Sequence, residues 1–404
     1  MSFKRIDRSF LRFAVTLYVP VFLVQLGVGI VTPIMPLYAR SFGISFALVG
    51  MVTTITAIGR ILVNVPLGVV SDRVGRRPIV LLGMFLLALS GILCGIAQSF
   101  YELLAYRLLT GVSGSMCIIA YQAIIADAID PSIRGRVGST FTAVGMLGTS
   151  AGPAIGGIAA QIWNLRSPFF LFAGLCFSSF LGSLLLLKET MPREKGVKKP
   201  QSKKVGVSIL GFLTFPILAA ASANFVNSLR VSARMVLIPI YGDAALHLNT
   251  GEIGFIMSAS TLAILFMTVP SGYIVDHWGR KAGLVPAFLL TGIVFALFPF
   301  TNDFMSLLAV AALLGVAVGL GGGAVGAIAT DLAPTGVKAT FMGFWWTIGD
   351  LGSAVGPVVL GYVADVLGMS LSFFITTAIM IISAVTTHLF VKETLTRAEE
   401  QKQV

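Results

Sequence analysis

The chain has 404 residues, 56% hydrophobic and only 11% charged, with a formal net charge of +11. Soluble domains carry about 25% charged residues, so with a mean hydropathy of +0.93 the composition excludes a water-soluble globular protein and predicts an integral membrane one. Cutting at charges, Pro and Gly leaves twelve apolar segments, each of the roughly 20 residues that a spanning helix needs. They lie near 11–39, 46–71, 77–98, 101–128, 136–163 and 167–188, then near 207–240, 250–275, 281–301, 304–332, 338–366 and 370–391. Transmembrane strands would show alternating segments of about ten residues; the pattern here predicts an all-α membrane protein.

Charge placement predicts orientation. Of the 28 Lys and Arg, 22 fall in the termini and the even-to-odd loops, only Arg40 and Arg166 fall opposite, and four lie within spans. Lys and Arg accumulate on the cytoplasmic side, so both termini are expected in the cytoplasm of a multi-pass protein of the cell membrane. This asymmetry also accounts for the basic balance, and no nucleic-acid partner is read from it. The basic residues before the first span resemble a signal peptide, but the apolar run is too long for one and is read as retained.

Span one carries Gln25, and Pro33 and Pro36 predict a kink near the outer face. Span two holds Arg60 and Asn64, four apart and so on one helix face. A lone cation at that depth costs about 3 kcal/mol or more. Arg60 either lies at a helix interface against backbone carbonyls or faces a substrate cavity. Between spans two and three runs Pro66-Leu-Gly68-Val-Val-Ser-Asp72-Arg73-Val-Gly75-Arg76-Arg77-Pro. Gly68 permits close helix approach, Gly75 can take the φ > 0 geometry of a tight turn, and Asp72 stands where a helix dipole favours a carboxylate.

The stretch recurs 204 residues later as Pro270, Gly272, Asp276, Gly279, Arg280 and Lys281. The same offset relates Gly50 to Gly254, Gly111 to Gly315, Asp127 to Asp331, Arg134 to Lys338 and Gly152-Pro153 to Gly356-Pro357. It also relates Lys188-Glu189-Thr190 to Lys392-Glu393-Thr394. A register held over half the chain indicates duplication. The expected organisation is a six-helix bundle over 1–188, a cytoplasmic linker over 189–206 and a second six-helix bundle with a short tail over 207–404.

In span four, Gly111 and Gly114 thin one face, and Arg107 has Ala311 as its repeat position, so the duplication does not require this charge. Span five holds Gly145, Gly148, Gly152-Pro153, Gly156 and Gly157, pairing close contact with a local weakness at Pro153. That combination suits a helix that rocks against a neighbour, or a static kink. In span seven, Asn224, Asn227, Arg230 and Arg234 form a polar stripe, which in a membrane must face protein or water. Span eleven offers Trp345, Trp346 and Asp350, the last being the one carboxylate well inside a span. Cys94, Cys117 and Cys176 have no pair spacing and read as packing residues. His247, His277 and His388 have no metal-ligand spacing, and no nucleotide-binding loop occurs. No cofactor, metal or catalytic residue is expected, and the protein is read as no enzyme.

These motifs resemble the major facilitator superfamily. Gly68-x-x-x-Asp72-Arg73-x-Gly75-Arg76-Arg77 is similar to its loop 2–3 signature, and Leu104-x-x-Arg107-x-x-x-Gly111 to its helix-four motif. Gly148-x-x-x-Gly152-Pro153-x-x-Gly156-Gly157 resembles the helix-five motif of proton-driven antiporters, above all the twelve-helix drug exporters. The resemblance implies two pseudo-symmetric six-helix bundles around a central cavity with alternating access. It implies gating by Gly68, Asp72, Arg73, Gly75, Arg76, Arg77, Asp127 and Arg134, with the repeat's Asp276 and Arg280 and the Gly152, Pro153 and Gly156 stretch. Arg107 takes part in coupling. One departure is that span one has Gln25 where many drug exporters carry a carboxylate there or in span four, which argues against a preference for cationic drugs. Asp350 remains as the proton carrier.

The leading reading is a secondary transporter, a monomer in the lipid bilayer, that exports a small-molecule substrate in exchange for protons. Gln25, Arg60, Asn224, Asn227, Arg230, Arg234 and Trp346 are the expected substrate contacts. The alternatives are a uniporter or symporter for an organic anion or metabolite, and a non-transporting sensor or lipid-handling protein on the same fold.

Overall fold

The computed structural model describes residues 8–190, 214–334 and 338–395, with side chains from residue 15 onwards apart from those at 65, 68, 69, 72, 73, 131, 132 and 338–340. Nearly all of these residues are helical and none forms a strand. The helices are α1 (Arg8–Val31), α2 (Ile34–Arg40), α3 (Phe46–Val74), α4 (Arg76–Ile96), α5 (Phe100–Ala128), α6 (Pro131–Ile162), α7 (Ser167–Leu186), α8 (Phe215–Ala244), α9 (Thr250–His277), α10 (Arg280–Leu297), α11 (Phe304–Leu320), α12 (Ala324–Leu332), α13 (Lys338–Leu367) and α14 (Met369–Phe390).

Among the described residues, ten helices are long and apolar enough to cross a membrane, counting Phe304–Leu332 as one. The segment Val15–Val31 and α2, bent by 42°, make an eleventh. The bend falls at Thr32-Pro33, where the sequence predicts a kink. α8 coincides with the seventh expected span. Its 30 residues reach about 45 Å, but its polar stripe keeps it outside that count.

Backbone contacts divide the chain into two compact units. The first comprises Met1–Ile44, Met51–Lys195 and Pro239–Ser258; the second comprises Ser45–Gly50, Gly196–Ile238 and Ala259–Val404. In the first unit α1 packs on α6 and α7, and α4 packs on α5 and α7. α3 meets α5 at Gly59 and Gly111, where a Cβ on either glycine would collide with the opposite backbone. Gly114 meets no described neighbour within 4 Å of such a Cβ, so Gly111 alone makes the close crossing expected of the pair. In the second unit α10 packs on α11 and α14, and α13 on α14.

Each unit contains one short segment from the opposite sequence half, held backbone to backbone. In the first, Gly157 on α6 meets Thr250 and Gly254 at the start of α9, and the Ser258 hydroxyl accepts from Ala154 N–H at 2.9 Å. In the second, Gly50 at the start of α3 lies against the Pro357 carbonyl of α13, and Gly361 lies against Phe46. These two contacts are repeat copies of one another.

Candidate functional site

The charged turns are built from the sequence outward. Gly75 has φ 111° and its copy Gly279 has φ 110°, a region that L side chains avoid. Each glycine starts a helix, α4 or α10, whose first amides have no partner inside the helix. A glutamate just beyond the sixth or twelfth expected span supplies that partner. Arg76 and Arg77 N–H donate to Glu189 Oε1 and Oε2 at 3.0 and 3.2 Å. Arg280 and Lys281 N–H donate to Glu393 Oε1 and Oε2 at 2.8 and 3.0 Å. A Cβ on Gly75 would stand 2.6 Å from the Glu189 carboxylate, so glycine serves both the turn and the cap.

Burial alone would raise the Glu393 carboxyl. The N–H donors of Arg280, Leu395, Lys281 and Thr394 overcome that and hold it below the usual carboxylate range. Sequence reasoning noted Glu189 and Glu393 only as marks of the repeat. No sequence signal marks the caps, because each glutamate stands 113 residues after the arginine whose amide it accepts from.

The arginines of the two turns then reach across to the ends of α5 and α12. Arg76 Nε donates to Asp127 Oδ2 at 3.0 Å, and Arg76 Nη1 to Ser71 Oγ at 3.1 Å. Arg280 Nε donates to Asp331 Oδ2 at 3.1 Å and its Nη1 to Asp276 Oδ1 at 3.1 Å. The Thr394 hydroxyl donates to the same Asp331 oxygen at 2.7 Å. Arg77 Nη2 and Lys281 Nζ donate to the carbonyls of Leu184 and His388. Arg134 turns back to the Ile129 carbonyl, donating from Nε at 3.3 Å and Nη2 at 3.1 Å. The Asp72 and Arg73 side chains and the surroundings of Gly68 lie outside the described residues, as do the Lys338 side chain and linker residues 191–206.

On α6, Gly148, Gly152 and Gly156 form one face that lies directly on α1. A Cβ at Gly148 would come 2.7 Å from the Phe22 carbonyl and one at Gly152 2.5 Å from Gly29 C, and one at Gly156 would collide with the Ile30 carbonyl. The spacing of four places all three on one side of the helix, and no side chain separates the two backbones there.

The stripe on α8 is gathered as its spacing predicts, and it faces protein. The Asn224 carboxamide donates to the Trp345 carbonyl at 2.7 Å. Arg230 is 1% exposed. It donates to Asn227 Oδ1 from Nε and Nη2, to the Thr291 hydroxyl and to the Val318 carbonyl, and it lies 5.2 Å from the Phe288 ring centroid. Buried Arg234 donates from Nη1 to the Ser260 hydroxyl at 2.9 Å, while its Nε has no partner. Every acceptor named here is uncharged. Trp345 is buried against Phe341, whereas Trp346 is 52% exposed. Asp350 and Arg60 are both part-buried. The Gly59–Gly111 crossing brings Arg60 on α3 within electrostatic reach of Arg107 on α5, whose Nε is buried without a partner.

Between α1, α5 and α6 the first unit holds a cavity of about 480 Å³. Gln25 lines it, as do Gln122, Arg134 and Phe141. Of these, sequence reasoning singled out Gln25 as a substrate contact and Arg134 as a gate. Gln122 and Phe141 gave no signal, because a single polar or aromatic residue in an apolar run does not reveal which way it faces. No group of His, Cys, Asp and Glu suited to a metal occurs among the described residues.

A duplicated set of long apolar helices with buried polar faces and capped, charged turns defines a polytopic membrane transporter. The family profile of the Major Facilitator Superfamily matches residues 17–226 and 220–404, and the chain belongs to that superfamily. It is therefore a multi-pass membrane transporter and not an enzyme. The tetracycline resistance protein, class B, of Escherichia coli is 29% identical over 69% of this chain and 70% of its own. The quinolone resistance protein NorA of Staphylococcus aureus (strain COL) is 23% identical over 87% of this chain and 89% of its own. A bacterial homologue of the human lysosomal transporter Spinster, solved in an inward-facing and occupied conformation, shares the fold at a TM-score of 0.78. Its identity is 15%, over 96% of this chain and 97% of that one.

Proposed function

We propose that this transporter exports small organic molecules in exchange for protons, by alternating access, from the cytoplasm across the cell membrane, with both termini inside and a monomer as the working unit. The observation that carries the reading is the glycine face of α6, seated on α1 without intervening side chains and continued by Gly157 on the start of α9. Such a face suits a helix that shifts against its neighbours while blocking ion leak. The names of the efflux relatives, a tetracycline and a quinolone resistance protein, support export of organic compounds.

In this reading the Arg76–Asp127 and Arg280–Asp331 pairs, with Asp72, Asp276 and Arg134, hold and release the cytoplasmic ends. Asp350 carries the proton, with Arg107 in the coupling path. Exchange requires that substrate and proton compete, and a single embedded carboxylate among cations supplies that competition.

A second reading, uniport or symport of an organic anion, is favoured by Arg60, Arg107, Arg230 and Arg234 standing within spans against the one carboxylate of Asp350. Proteoliposomes carrying a pH-sensitive dye separate the two. Proton movement opposite to a substrate gradient supports antiport; substrate flux with no proton movement supports uniport.

A further inference from the structure

We propose that the cavity between α1, α5 and α6 is a subsite for uncharged or anionic hydrogen-bonding groups of the substrate, recognised by Gln25 and Gln122 and unfavourable to cations. The proposal rests on the exporter reading and names its substrate class.

A cavity of about 480 Å³ is of the size that holds a small organic molecule. Its polar lining has three parts. The carboxamides of Gln25 and Gln122 make no hydrogen bond to any described residue, so each offers a donor and an acceptor to whatever enters. The Thr142 and Thr149 hydroxyls donate back to carbonyls of their own helix and present only acceptor lone pairs. Arg134 places two of its nitrogens on the Ile129 carbonyl, and neither that acceptor nor any ion pair among the described residues cancels its charge.

No carboxylate lines the cavity. Two acids stand at the end of α5: Asp127 is bound to Arg76 at 3.0 Å, and Asp130, just beyond the helix, is likewise engaged. A cation entering here would give up part of its hydration with no carboxylate in the lining and with Arg134 opposing it, which disfavours its binding. A neutral amide, ketone or hydroxyl finds matching partners in the two carboxamides, and an anion also gains Arg134. The room is kept by Gly145, where a Cβ would stand 3.4 Å from Gln25 Cγ. Phe141 supplies an aromatic wall.

Fluorescence polarisation of the purified full chain in detergent tests this with fluorescein and rhodamine 123, xanthene dyes of similar size and opposite charge. Fluorescein is expected to bind at least about tenfold more tightly. Gln25→Glu and Gln122→Glu should each shift the preference towards rhodamine by about tenfold, and Arg134→Gln should weaken fluorescein alone. Unchanged thermal unfolding midpoints establish that the variants fold. Equal affinity for the two dyes, binding of neither, or an unaltered ratio in both Glu variants would overturn the proposal. Binding is read without a gradient, so a preference for fluorescein alongside failed proton exchange sinks antiport and leaves the subsite standing.

Discussion

At Glu393 a carboxylate collects four backbone N–H groups, and this tests how far the duplicated turn depends on charge. Its pKa is depressed, so its stabilisation is complete above the unfolded value of about 4.3 and is lost as pH falls through the folded value. Glu393→Gln is expected to cost roughly 1 kcal/mol at neutral pH, with the deficit shrinking below about pH 4. Thermal unfolding of the detergent-purified protein at the two pH values measures this; an equal deficit at both would show that the charge contributes nothing. Arg230 presents the opposite case, a buried cation served only by neutral acceptors and a ring. Arg230→Ala would leave Asn227 and Thr291 unpaired, so a loss of about 2–4 kcal/mol is expected from the cavity and lost bonds. Asp350→Asn is expected to abolish proton exchange in proteoliposomes and, because Asn mimics the protonated carboxyl with which substrate competes, to weaken gradient-free substrate binding and remove its pH dependence. Persistent pH-driven exchange would move the carrier elsewhere.

At the scale of an element, α6 is defined by what it lacks. Gly156 has the Ile30 carbonyl where a Cβ would go, and both partners are helix backbone that cannot swing aside. Gly156→Ala should separate α6 from α1, lowering stability by about 1–3 kcal/mol and slowing transport more than substrate binding. Gly145→Ala, with 3.4 Å of room against Gln25 Cγ, should fold normally, and the contrast between the two unfolding midpoints is the measurement. The glycine spacing and the kink before α2 were legible in the sequence, because helical periodicity and Pro geometry are local. The Glu189 and Glu393 caps were not, since the acid and the turn it serves lie more than a hundred residues apart.

At the scale of the whole molecule, each compact unit has a polar contact that joins distant parts of the chain. Asp365 accepts from Phe46 and Ala47 N–H at 2.8 and 2.9 Å, capping the start of α3 in the second unit. Arg40 pairs with Asp243 at 2.7 Å in the first unit, with side chains 36% and 45% exposed. An exposed ion pair contributes about 0–1 kcal/mol, whereas a carboxylate cap at a helix start contributes about 1 kcal/mol or more. Asp365→Ala should therefore lower the unfolding midpoint clearly and Arg40→Ala barely. Equal effects would mean that the helix-start cap has no special weight.

The sequence by itself determined the class, the repeat, the positions of most of the membrane helices and the charged turns. Each follows from hydropathy, periodicity or a short motif, and these act within a few turns of helix. Only the tertiary structure decided that the α8 arginines turn into protein, that Trp345 is buried while Trp346 is not, and that Gln25 shares a cavity with Gln122. Helical spacing tells which residues share a face; which neighbour that face meets depends on packing between helices far apart in the chain.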